Sequence, residues 1–140
     1  MSVSAITPST QNEPQLQIAS RSLKQAVNSG FKWDNEEQLW NKLNSEIDEF
    51  KRADSPESKE DEFGDILHSL VSIANWHNVD PQTAMTNANQ KFISRFKITE
   101  KLVAQDKKTM SDLNLKEILK YWSQAKQQVS ENENNLNLYT

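Results

Sequence analysis

Residues 35–53 read NEEQLWNKLNSEIDEFKRA. Leu39, Leu43, Ile47 and Phe50 recur every three or four positions, the period of one helix face. On a 3.6-residue wheel with Leu39 at zero, the other three fall between about 20° and 80°. Glu46 falls about 20° from Leu39, on the edge of this apolar stripe, with Lys42 and Glu49 just beyond it. A surface acid normally faces away from the core, and Glu46 does not. The segment therefore predicts a helix from about Asn35 to Ala53 that carries acid at the border of its buried face.

The next segment repeats the pattern. A helix from about Ser58 to His77 places Phe63, Ile66, Leu67, Leu70, Val71 and Ala74 on one stripe, with Pro56 marking the break before it. Glu62 borders that stripe and Asp65 lies further out. Glu46 and Glu49, like Glu62 and Asp65, are spaced i, i+3, so each pair shares a helix face. Two such helices joined by a short connection pack side by side and bring these carboxylates together. Half-burying like charges costs free energy unless a cation neutralises them. Carboxylate-only ligation points to Mg²⁺, with Mn²⁺ as a possible substitute, and the lack of His or Cys argues against zinc. A solvated acidic face is the competing reading. Gly64 sits inside the acidic motif, where a mid-helix glycine costs roughly 1 kcal/mol relative to alanine. It implies the close approach of another backbone or of a ligand.

The rest of the chain also reads as helix. A first helix runs from about Leu16 to Asn28 and ends at Gly30. Asp80 and Pro81 supply the cap and first position of a fourth, to about Lys107, with Met85, Ala88, Phe92, Phe96 and Val103 inward. A fifth, about Leu115 to Val129, buries Ile118, Leu119 and part of Trp122. Strand-like alternation is absent. The expected fold is all-α: an antiparallel bundle of about five helices, completed by dimerisation, since the apolar share is only 35%. The expected organisation is a disordered segment over 1–14, a helical domain over 15–129 and a flexible tail over 130–140.

Residues 34–65 hold 12 acidic and 4 basic side chains, and the remainder 8 acidic and 12 basic. That division argues against a broad nucleic-acid surface and suits a site for cations followed by polyphosphate. There is no cysteine, so disulfides and thiolate metal sites are excluded. No apolar run approaches the roughly 20 residues of a membrane helix, and nothing resembles a signal peptide. A soluble, cytoplasmic protein without a membrane partner is expected.

Several spaced motifs carry a specific resemblance. They are Gly30-Phe31-Lys32-Trp33, Lys42-Leu43 leading into Glu46 and Glu49, Glu62-Phe63-Gly64-Asp65, Asn75-Trp76, Val79-Asp80-Pro81, Ala88-Asn89, and Lys91-Phe92 with Arg95-Phe96. In this order they resemble MazG-type nucleoside triphosphate pyrophosphohydrolases, densely from Gly30 to Glu100 and more weakly over Trp122 to Lys126. The resemblance implies an all-helical homodimer or homotetramer. It also implies Mg²⁺-dependent cleavage of an NTP or dNTP, between the α and β phosphates, to the monophosphate and pyrophosphate.

By the same resemblance Glu46, Glu49, Glu62 and Asp65 are metal ligands. Lys42, Lys91 and Arg95 meet the triphosphate, Asn89 joins the substrate set, and Trp122 and Lys126 close over the nucleotide. Glu46 or Glu49 orients the attacking water, with Lys42 as the third catalytic residue. Ser45 departs from the pattern, in which an acid precedes the first metal acid, and larger relatives carry two tandem domains. A dUTPase-like enzyme, a phosphoribosyl-ATP pyrophosphohydrolase and a non-catalytic helical module are the alternatives.

Overall fold

The computed structural model describes residues 3–138, so the ends of the two expected flexible segments lie outside the described residues. Within them the fold is all-helical, with five α-helices, one 3-10 turn and no strand. The helices are α1 (Gln15–Asn28), α2 (Glu36–Arg52), α3 (Pro56–Trp76), α4 (Pro81–Gln105) and α5 (Leu115–Asn137). The chain divides into two compact units, Met1–Met85 and Thr86–Thr140, with the division inside α4. Among the described residues no helix is long and apolar enough to cross a membrane.

The helix boundaries follow from capping chemistry. The Asn35 side chain accepts from the Gln38 N–H and opens α2. Pro56 is the first residue of α3 as well as the end of the preceding connection. Ser55 caps it by accepting from the Ser58 N–H, while the Ser58 hydroxyl accepts from the Ser55 N–H. Asp80 accepts from the Gln82 N–H and the Thr83 hydroxyl. Three helices close with paired bonds from the second and third residues beyond them to earlier carbonyls, around Gly30 (φ 111°), Asn78 (φ 56°) and Lys107 (φ 57°). Helix α5 runs past the expected Val129 end to Asn137, because residues 130–137 contain neither glycine nor proline.

In the first unit, Leu39 and Leu43 of α2 pack with Ile73 of α3, and Trp33, Ile47 and Ile66 rest against them. Helix α1 joins α3 through Ser20 and Asn75. The serine hydroxyl donates to Asn75 Oδ1 (2.8 Å), and the Asn75 amide donates to the Ser20 carbonyl (3.1 Å). The end of α3 is tied to the start of α2 by His77 Nε2 and Glu36 Oε1, 2.6 Å apart. The segment before α1, expected to lack structure, is held by Arg21, which donates to both Glu13 oxygens and the Thr7 carbonyl.

In the second unit Thr99, Val103, Tyr121 and Ala125 are buried. The Tyr121 hydroxyl donates to Asp106 across 2.6 Å. Phe92 stacks on Phe96 and tilts against Trp122, with ring centroids 5.9 and 5.6 Å apart.

Much of the expected apolar stripe is uncovered. Phe63, Leu67 and Leu70 on α3, Met85, Phe92 and Phe96 on α4, and Leu119 on α5 are all exposed, Phe92 by 57%. Ala88 is exposed as well. Periodicity marks which side chains favour burial, but burial itself requires a neighbouring surface, which the period does not name.

Candidate active site

Helix periodicity stacks Glu46 and Glu49 one turn apart on α2, and the packing of α3 against α2 brings Glu62 to them. Each offers a carboxylate oxygen, and these three oxygens all lie within 4.8 Å of one another. Glu46 is deeply buried, at 3% exposure. Lys42, one turn earlier on α2, forms an ion pair with Glu46 Oε1. The other oxygen, Oε2, is buried and has no hydrogen-bond partner, and Glu62 Oε2 is in the same condition.

The electrostatics follow from this arrangement. The hydrogen bond from Lys42 holds the Glu46 carboxyl below the usual glutamate range against the opposing effect of burial. Burial pushes Glu62 up, reinforced by hydrogen bonding to Glu49 and by the charges of Glu49, Asp65 and Glu46. The Lys42 ammonium is raised, first by its bond to Glu46, and so stays protonated. Glu46 is therefore ionised beside a fixed cation, while Glu62 lacks a compensating charge.

A divalent cation fits this donor set. Every candidate ligand is a carboxylate oxygen, Glu46 and Glu62 each keep one oxygen buried and unsatisfied, and no His or Cys belongs to the group.

Asp65 stands outside the group of three. It lines a cavity of about 820 Å³ together with Lys42 and Glu46. A Cβ built at Gly64 meets no atom beyond its own stretch of helix within 4 Å. The close approach its presence implied is not made by this chain's own backbone. The remaining expected site residues belong to α4 and α5. Asn89, Lys91 and Lys126 are exposed there, and Trp122 is half-buried against Phe92. Arg95 is half-buried, and its Nε is buried without a partner.

No model of a known protein family matches the chain. Individual relatives do. The chain is 37% identical over 113 residues to the nucleoside triphosphate pyrophosphohydrolase/pyrophosphatase MazG of Thermotoga maritima, covering 81% of this chain and 44% of that protein. It is 31% identical over 130 residues to the nucleoside triphosphate pyrophosphohydrolase of Escherichia coli K12, covering 89% of this chain and 49% of that protein. The chain is of MazG type. It spans just under half the length of these two relatives.

The MazG-type motifs named the acids but left the cavity wall undescribed. Asn28, Phe31, Ser69, Ser72 and Asn75 line it beside Trp33. No charge marks these residues out in sequence; Ser69, Ser72 and Asn75 share one face of α3, and the packing of α1 on α3 brings Asn28 to them. The signal available was Phe31, Trp33, Asn75 and Trp76 within the matched motifs.

Proposed function

We propose that this chain hydrolyses nucleoside triphosphates to the monophosphate and pyrophosphate, with Mg²⁺ held by Glu46, Glu49 and Glu62 and by Asp65 at the edge of that group. The observation that carries the proposal is the pair of buried, unpartnered oxygens, Glu46 Oε2 and Glu62 Oε2, within a cluster of three carboxylates. Such atoms are costly unless a cation satisfies them. The names of the relatives from Thermotoga maritima and Escherichia coli support the same chemistry.

Phosphoanhydride cleavage depends on positioning and charge neutralisation more than on a covalent nucleophile. A bound divalent cation supplies the neutralising charge for phosphate oxygens and lowers the pKa of water. The chain's own groups do the rest. Lys42 fixes Glu46 through Oε1 and leaves Oε2 unpartnered. Its ammonium remains charged beside the triphosphate. Glu49 is the most accessible of the three carboxylates and accepts the proton of the attacking water, with Glu46 as the neighbouring base. The roles of Asn89, Lys91, Arg95, Trp122 and Lys126 toward substrate rest on the motif resemblance alone.

The proposal includes a homodimer or a larger assembly, supported by the uncovered aromatic and aliphatic side chains on α3, α4 and α5. It places the enzyme in the cytoplasm, with nucleotides rather than nucleic acid as ligands.

The test is pyrophosphate release from a panel of NTPs and dNTPs, with phosphoribosyl-ATP included. Release with Mg²⁺ and none with EDTA is expected. Glu46→Gln abolishes it while leaving the circular dichroism spectrum intact. An active Glu46→Gln variant overturns the metal assignment.

A further inference from the structure

We infer that Phe50, Phe63 and Lys59 form a clamp that sets the spacing of Glu49 and Glu62, and with it the affinity of the site for a divalent cation. The inference rests on the proposed metal assignment and names the positioning residues that hold that site in register. The tripeptide Asp-Glu-Phe occurs twice, as residues 48–50 near the end of α2 and as residues 61–63 early in α3. In both copies the phenylalanine directly follows an acid of the site. The two rings meet across the helix pair, with centroids 5.8 Å apart and planes tilted by 60°. Lys59 closes the set from the turn side. Its Nζ lies 4.8 Å from the Phe50 ring centroid and donates to the Phe50 carbonyl across 3.1 Å.

Successive residues of a helix keep a fixed spacing, so joining Phe50 to Phe63 also fixes Glu49 against Glu62. An opposing force makes that contact necessary. Glu49 and Glu62 carry like charge and repel, which tends to spread the end of α2 from the start of α3. On the core side, Ile47 and Ile66 rest against Leu39, Leu43 and Ile73 and hold the pair together. On the turn side the clamp does so. Burial does not account for it, since Phe63 stays 49% exposed. A tilted ring pair and an ammonium over a ring face both favour an aromatic ring over an aliphatic side chain of similar bulk. Lys59 also stands one turn before Glu62, within reach of an i, i+3 ion pair. Among the described residues that pair does not form, and Glu62 Oε2 has no partner. The ammonium is engaged by Phe50 instead, at the C-terminal end of α2 where the helix dipole favours a cation. Glu62 is thereby left to a divalent ion, in a site spaced before the ion arrives.

The test reads cation affinity apart from activity and from stability. Mn²⁺ is titrated into the full chain without nucleotide, following loss of the free-ion paramagnetic resonance signal, and Mg²⁺ is then added as competitor. Urea unfolding in EDTA measures stability in parallel. Phe50→Leu keeps the apolar bulk, loses the ring and binds Mn²⁺ about tenfold more weakly, the low end of what loss of a supporting group costs a metal site. Phe50→Tyr keeps the ring and binds as the wild type does. Lys59→Met, at an exposed side chain that folding does not need, also weakens binding. Ile73→Val loosens the same helix pair inside its core, so it lowers the urea midpoint and leaves the affinity unchanged. Half-maximal turnover of Phe50→Leu requires about ten times more Mg²⁺. Wild-type affinity in Phe50→Leu overturns the clamp, as does equal weakening in Phe50→Tyr or in Ile73→Val. Tighter binding in Lys59→Met overturns it too, because the lysine would then compete with the cation. A wild type that binds no divalent cation overturns the metal assignment and the clamp with it. Cation binding with these variant effects but no pyrophosphate release overturns the activity and leaves the clamp standing.

Discussion

Gly64→Ala is expected to make the protein more stable and the enzyme slower. Gly64 lies in the interior of α3, a helix of 21 residues, with no atom within 4 Å of the position a Cβ would take. Alanine there meets no clash, improves helix propensity by roughly 1 kcal/mol and restricts the unfolded chain. For a chain of 140 residues, that raises the melting temperature by about 3–5 °C. With a urea m-value of about 2 kcal/mol/M, the unfolding midpoint rises by about 0.5 M. Far-UV circular dichroism in EDTA, without nucleotide, measures both.

The glycine lies between Glu62 and Asp65, on a helix whose residues 63–65 are all exposed. If it persists because the substrate or a second copy comes close in the working complex, a methyl group obstructs that approach. Turnover then falls about tenfold, equivalent to about 1.4 kcal/mol in the transition state. A loss of stability would refute the open-face reading, because it would mean another surface already touches this position. Unchanged turnover would refute the close approach and leave the glycine as an unoptimised residue.

Further outcomes follow from the same geometry. Glu62 is pushed above its ordinary range, so its ionised form destabilises the metal-free fold. Glu62→Gln therefore melts above the wild type at pH 7, and the gap narrows as pH falls through the raised Glu62 pKa and is closed below the ordinary glutamate value. Saturating Mg²⁺ reverses that order, raising the wild type by RT ln(1 + [Mg²⁺]/Kd), about 2.7 kcal/mol at one hundred times Kd, and the variant by less; a variant stabilised equally by Mg²⁺ would remove Glu62 from the ligand set. Lys107→Gly relieves a left-handed backbone at the end of α4 and gains about 1 kcal/mol in urea unfolding; a loss would mean the lysine side chain makes a compensating contact. Leu39→Ala, at a side chain only 2% exposed, costs about 3 kcal/mol by the same assay, and a cost below about 1 kcal/mol would displace Leu39 from the centre of the core.

The helices were legible in the sequence wherever a local signal sufficed. Pro81, Gly30 and the caps at Asn35 and Asp80 act within a turn or two of themselves, so their effect does not depend on the rest of the molecule. Pro56 was half-read, since a proline that cannot continue one helix is well suited to begin the next. The stripe of Phe63, Leu67 and Leu70 and that of Phe92 and Phe96 were legible as apolar, but their surroundings were not. Hydrophobic period reports a preference for burial and carries no address.

The site divides along the same line. Glu46 could be placed because its angle on the wheel conflicts with its charge, and a conflict between local rules is where function tends to sit. The cavity residues Ser69, Ser72 and Asn28 raise no such conflict. They are ordinary helix and helix-end residues until Ser20 and Asn75 bring α1 onto α3, an encounter separated by 55 positions in the chain. Charge at the wrong angle is thus visible in one segment alone, whereas a neutral binding wall exists only once two distant segments meet. The acidic end of such a site is readable from sequence, and the neutral wall beside it has to be seen in three dimensions.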